Sequence, residues 1–87
     1  MHEAGLMRDL MRQILSTAET EKARRVTGIS IWLGALSHMT PDHFGEHYED
    51  SSRGTIAEGA ALDITTSDDI DDPRASDVVL TGVEVET

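Results

Sequence analysis

The chain has 87 residues, with 17 Asp plus Glu against 7 Lys plus Arg (formal net charge −10), no cysteine, and one each of Trp, Tyr and Phe. So short a chain is one domain burying only ~60–65% of its unfolded surface, yet 38% hydrophobic residues suffice for one core and argue against wholesale disorder. Zero Cys excludes disulfides, Fe–S clusters, thiolate zinc and Cys nucleophiles, and the acidic balance argues against nucleic acid and anionic membrane as partners. No apolar run approaches the ~18–20 residues of a membrane span, and no signal-peptide layout opens the chain. These features predict a small, soluble, cytoplasmic domain.

Residues 5–21 read as an amphipathic helix. Leu6, Met7, Leu10, Met11, Ile14, Leu15 and Ala18 recur at spacings of three and four, leaving Arg8, Asp9, Arg12 and Gln13 outside. The Met-rich stripe suits either core packing, the commoner use of such a face, or an adaptable groove. Residues 25–33 alternate with period two, which predicts a strand with Thr27, Ile29, Ile31 and Leu33 on one face and Gly28, Ser30 and Trp32 on the other. Gly34 closes that strand.

A loop through Ser37-His38-Met39 leads to Thr40-Pro41, where Thr suits an N-cap and Pro the first helical position. The second helix is expected to run to about Arg53, with Gly54 as its stop and Phe44 and Tyr48 on its buried side. Residues 60–65 alternate again, Ala60, Leu62 and Ile64 inward. Residues 66–76 form an acidic, turn-rich loop, and 78–86 a last strand with Val79, Thr81, Val83 and Val85 on one face. The predicted architecture is α/β in the order α-β-α-β-β: two helices on one face of a three-stranded mixed sheet. The link from the first strand through the second helix is long enough for a parallel crossover. Strand order stays open, because the last strand could pair with either neighbour, and no residue pattern dictates an oligomeric state.

The strong ligand candidates are the histidines His2, His38, His43 and His47. His43 and His47 are four apart, so a helix would stack them within reach of one ion, with Asp42, Glu46 and Asp50 nearby. A solvated outer helix face accounts for the same residues. His43-Phe-Gly-Glu46-His47 also matches H-x-x-E-H, two imidazole ligands and a carboxylate base for a zinc hydrolase. That reading needs a third ligand and a cleft for which 87 residues leave little room. Met1-His2-Glu3 is plain in composition. Yet a free amine, deprotonated amides and an imidazole are the nitrogen donors of square-planar Ni(II) or Cu(II) sites, and a large second residue favours retention of Met1.

Taken together, Met1-His2-Glu3, the amphipathic helix, Arg25-Val-Thr-Gly28, Leu33-Gly-Ala-Leu-Ser37, Arg53-Gly-Thr-Ile-Ala-Glu-Gly59 and Val83-Glu-Val-Glu86 resemble the HypA/HybF family of nickel metallochaperones, collinearly over essentially the whole chain. The resemblance implies Ni(II) bound by the Met1 amine, the His2 imidazole and the backbone amides of His2 and Glu3. It further implies delivery to a [NiFe]-hydrogenase large-subunit precursor with a HypB-type GTPase, and no enzymatic turnover. A scaffold of the maturation machinery that has lost nickel handling is the alternative. The family normally inserts a Cys-x-x-Cys…Cys-x-x-Cys zinc ribbon between the last two strands. Here the acidic loop 66–76 stands in that gap, so residues 1–87 are expected to be a single nickel-binding domain without structural zinc. The histidine-rich segment 37–43 is a second departure, with His38 or His43 as a supplementary nickel ligand and His47 a weaker candidate.

Overall fold

The computed structural model describes residues 3–87. Helix α1 spans Glu3–Thr20 and buries Met7, Leu10, Met11, Ile14 and Ala18, so the methionine stripe belongs to the core. The helix ends because Lys22 takes a left-handed φ of 53°. Lys22 N then donates to Glu19 O and Ala23 N to Ala18 O, the paired bonds that satisfy the last carbonyls of a helix. Lysine here does what glycine does more cheaply.

Strand β1 (Arg25–Leu33) is followed by helix α2 (Pro41–Ser52), which starts where expected: Thr40 is the N-cap and Pro41 sits in the first turn. The Thr40 Oγ1 accepts from His43 N at 3.1 Å, satisfying one of the amides a helix start leaves open. Phe44, Tyr48 and Ser52 form the buried side of α2, and Gly54 turns the chain away at φ +82°. Strands β2 (Ala61–Thr66) and β3 (Val78–Glu86) complete the sheet. Among the described residues, no helix is long and apolar enough to cross a membrane.

The strand order is β2-β1-β3. β1 pairs parallel with β2 and antiparallel with β3, so the last strand joins the side of β1 opposite β2. Across the sheet, Leu62, Ile29 and Val83 fall in one row and Ile64, Ile31 and Leu80 in the next. All six belong to the core or pack against it, beneath both helices.

Two register shifts in the β1–β3 ladder correct the expected faces. One lies between Val26 and Gly28, the other between Ser30 and Ile31, where the partner steps from Gly82 to Leu80. Thr27 and Thr81 are therefore extra residues, each inverting the side-chain alternation of its strand. Val26 is buried and Thr27 exposed, against the expectation that Thr27 shares the inward face. On β3, Val78 and Leu80 pack on the core with Val83 and Val85, while Thr81 is exposed, so the expected row through Val79 and Thr81 does not form.

Because β2 and β3 flank β1, residues 67–77 must cross the end of β1. They are tied to the last residue of β1 and to the loop after it: Ser67 N donates to Leu33 O at 2.9 Å, Leu36 N to Ala75 O at 2.7 Å, and Gly34 N to Asp77 O at 2.9 Å. The crossing passes so close to Gly34 that a Cβ there would lie 2.8 Å from Arg74 O and 2.6 Å from the Ala75 carbonyl carbon. Only glycine fits. On the far side of the sheet, the Arg74 guanidinium lies 5.0 Å from the Trp32 ring centroid, a cation–π contact that anchors the crossing.

Two substitutions test this packing. The Tyr48 hydroxyl donates to Ala57 O at 2.7 Å in a buried setting, and burial pushes its pKa above the ordinary tyrosine value. Tyr48→Phe leaves Ala57 O with only the 3.3 Å bond from Ala60 N and should cost roughly 0.5–1.5 kcal/mol in urea unfolding. A pKa raised by folding means its stabilising contribution is intact below about pH 10 and lost as pH rises further, so the variant should show a shallower alkaline decline. Gly34→Ala should cost roughly 2–4 kcal/mol, because backbone rather than a flexible side chain must move. A Gly34→Ala protein with unchanged urea midpoint would refute the close crossing.

Candidate metal centre

The expected site residues fall in three places. Met1 and His2 lie outside the described residues, and Glu3 is the first residue of α1. His38 sits in the loop between β1 and α2 at a left-handed φ of 60°, a conformation His adopts more readily than most non-glycine residues. His43 and His47 lie on α2.

His38 lines a cleft of about 360 Å³ together with Leu6, Ser37, Met39, Asp77 and Val78. Three segments meet there: the start of α1, the β1–α2 loop, and the end of the crossing loop. Within it the Ser37 Oγ is buried with no hydrogen-bond partner among the described residues. Leu6, on the cleft wall, follows His2 by four residues in the sequence.

The α2 pair is tightly associated. The Nε2 atoms of His43 and His47 are 3.1 Å apart in a half-buried setting. The rings meet edge to face, with centroids at 4.5 Å and planes at 80°. One helical turn places the two side chains over one another, while buried Phe44 and Tyr48 hold α2 against the sheet and fix which face they share. In H-x-x-E-H terms the two imidazoles do meet, but Glu46 is exposed. The described residues contain no group of three His, Cys, Asp or Glu that could hold a metal, so they supply no three-ligand zinc centre of the kind that motif requires.

Ser37 and Asp77 were not legible as cleft residues in the sequence. Ser37 adjoins His38 in the chain, but Asp77 joins them only because the crossing loop carries 76–78 past the end of β1, and no local pattern encodes that approach.

Two solved structures share the architecture. The solution structure of the Ni metallochaperone HypA from Helicobacter pylori superposes with a TM-score of 0.80 at 16% identity, covering 99% of this chain and 98% of that one. A second, "Solution structure of HypA protein", gives 0.76 at 16% identity, covering 97% and 95%. At such identities the likeness defines the fold: the two-helix, mixed-sheet domain seen in metallochaperone structures.

Sequence comparison then gives the family. Residues 1–70 match the family described as "Hydrogenase/urease nickel incorporation, metallochaperone, hypA", and the chain belongs to that family, whose members are metallochaperones and not enzymes. The hydrogenase maturation factor HypA of Archaeoglobus fulgidus is 35% identical over 65 residues, 75% of this chain and 59% of that protein. Its counterpart from Rhizobium leguminosarum bv. viciae is 38% identical over 64 residues, 74% of this chain and 57% of the other. The match thus spans less than three fifths of the length of these relatives.

Proposed function

We propose that this chain binds Ni(II) as cargo through its N-terminus and passes it on during [NiFe]-hydrogenase maturation. The observation that carries the reading is the family match, which begins at residue 1 and takes in Met1-His2-Glu3. The donors are the Met1 amine, the His2 imidazole and the backbone amides of His2 and Glu3. All are nitrogens, a set that suits square-planar Ni(II) and needs no cysteine. An amide nitrogen binds only after losing its proton, so binding releases protons and weakens as pH falls.

Among the side-chain candidates for a supplementary ligand, His38 is better supported than His43 or His47. It shares a cleft with Leu6, which follows His2 by four residues in the sequence. The recipient is a hydrogenase large-subunit precursor, with a HypB-type GTPase as partner, in the cytoplasm. The net charge of −10 favours local accumulation of cations.

Nickel titration of the chain with a native amino terminus should give a yellow, diamagnetic complex that accounts for one nickel equivalent per chain. Acetylating the Met1 amine or replacing His2 by Ala should weaken it by more than tenfold, and His38→Ala by a smaller factor. A yellow complex that survives acetylation would overturn the N-terminal site, and no yellow complex at micromolar nickel would favour a scaffold role. Raising the pH from six to eight should tighten binding steeply, since each displaced amide proton contributes up to about a tenfold change per pH unit.

A further inference from the structure

We propose that His43 and His47 form a second metal site, a two-imidazole chelate for a divalent first-row cation. Cis donors at right angles on an ion with metal–nitrogen bonds of about 2.0–2.1 Å stand about 2.9 Å apart, and tetrahedral donors about 3.4 Å. The Nε2 atoms, 3.1 Å apart, fall between these values. When an ion binds, the donor ring changes tautomer so that its proton sits on Nδ1, and small rotations about the broad χ2 torsions turn both Nε2 lone pairs onto the ion. The Thr40 cap on His43 N and buried Phe44 and Tyr48 hold the helix in place. The ligand spacing therefore exists before the metal arrives, and little ordering entropy is lost on binding.

His43 is the third residue of α2, where the helix dipole opposes a cation. Asp42 and Glu46, exposed carboxylates of the same helix, act against that field. Two imidazoles complete only part of a coordination sphere, and water fills the rest. Such a site selects borderline cations that favour nitrogen, with Cu(II) above Ni(II) and Zn(II). It exchanges its ion readily, as a capture or staging site requires. The proposal rests on the geometry of α2 and not on the N-terminal reading.

The two sites differ in spectrum. Square-planar nickel on amide nitrogens is diamagnetic and yellow, whereas nickel on two imidazoles and water is paramagnetic and adds no yellow band. Titrating Ni(II) into the full chain should give a paramagnetic equivalent that shifts the ring resonances of His43 and His47. It should persist after Met1 acetylation and in His38→Gln, and weaken at least tenfold in His43→Gln and in His47→Gln. Protection of both rings from carbethoxylation by Ni(II) in the unsubstituted chain gives the same answer without mutation. A paramagnetic equivalent retained in both Gln variants, or none in the native chain, overturns the proposal. Loss of the yellow complex alone would strike only the N-terminal site.

Discussion

The passage of residues 67–77 over the end of β1 is the constraint on which the rest of the structure depends. With β1 in the middle of the sheet, the link from β2 to β3 has to travel from one edge to the other, and the shortest path lies across Gly34. There the missing side chain lets two backbones hydrogen-bond at close range. The same crossing lays Arg74 over Trp32 and carries Asp77 and Val78 to the mouth of the cleft that His38 lines. The cleft is therefore a product of topology. Its walls come from three segments that are far apart in sequence and meet only where the loop closes.

How much could be read from the chain follows from which features are local. The start of α2 is written in adjacent residues, Thr40 and Pro41, and the structure has the cap and the first turn where that pair puts them. The stripe of α1 is a repeat of three and four that no other element can use. The inward faces of β1 and β3 were half legible: Ile29, Ile31, Leu33, Val83 and Val85 follow strict alternation. The parity then breaks at Thr27 and Thr81, because a bulge is a property of the pair of strands and leaves no mark in either one alone. Strand order and the Ser37–Asp77 approach were illegible for a similar reason. The close pairing of His43 and His47 was legible, since four residues along a helix is one turn.

The chemistry also sorts into two kinds. The donors proposed at the N-terminus are mainly backbone nitrogens, which any sequence possesses but which only a free terminus and a ready loss of amide protons make useful. The α2 donors are side chains set on a rigid scaffold. In a family fold without a single cysteine, both proposed sites thus draw on nitrogen, one on backbone and one on side chains of a packed helix. Hard acidic groups surround them in sequence without forming a three-residue cluster among the described residues.

The central position of β1 governs when this sheet can form. Its parallel partner follows a helix, and its antiparallel partner comes last, with Arg25 facing Glu86. During synthesis β1 emerges early with neither neighbour available. Its apolar residues must wait, partly sheltered by α1, until β3 has been made. Non-local pairing of this kind is slow relative to helix formation, and the unpaired strand is the most aggregation-prone part of the nascent chain. A ribosome-stalled chain ending before β3 should therefore resemble an unfinished two-layer shell, with α1 formed and the middle strand exposed along one side.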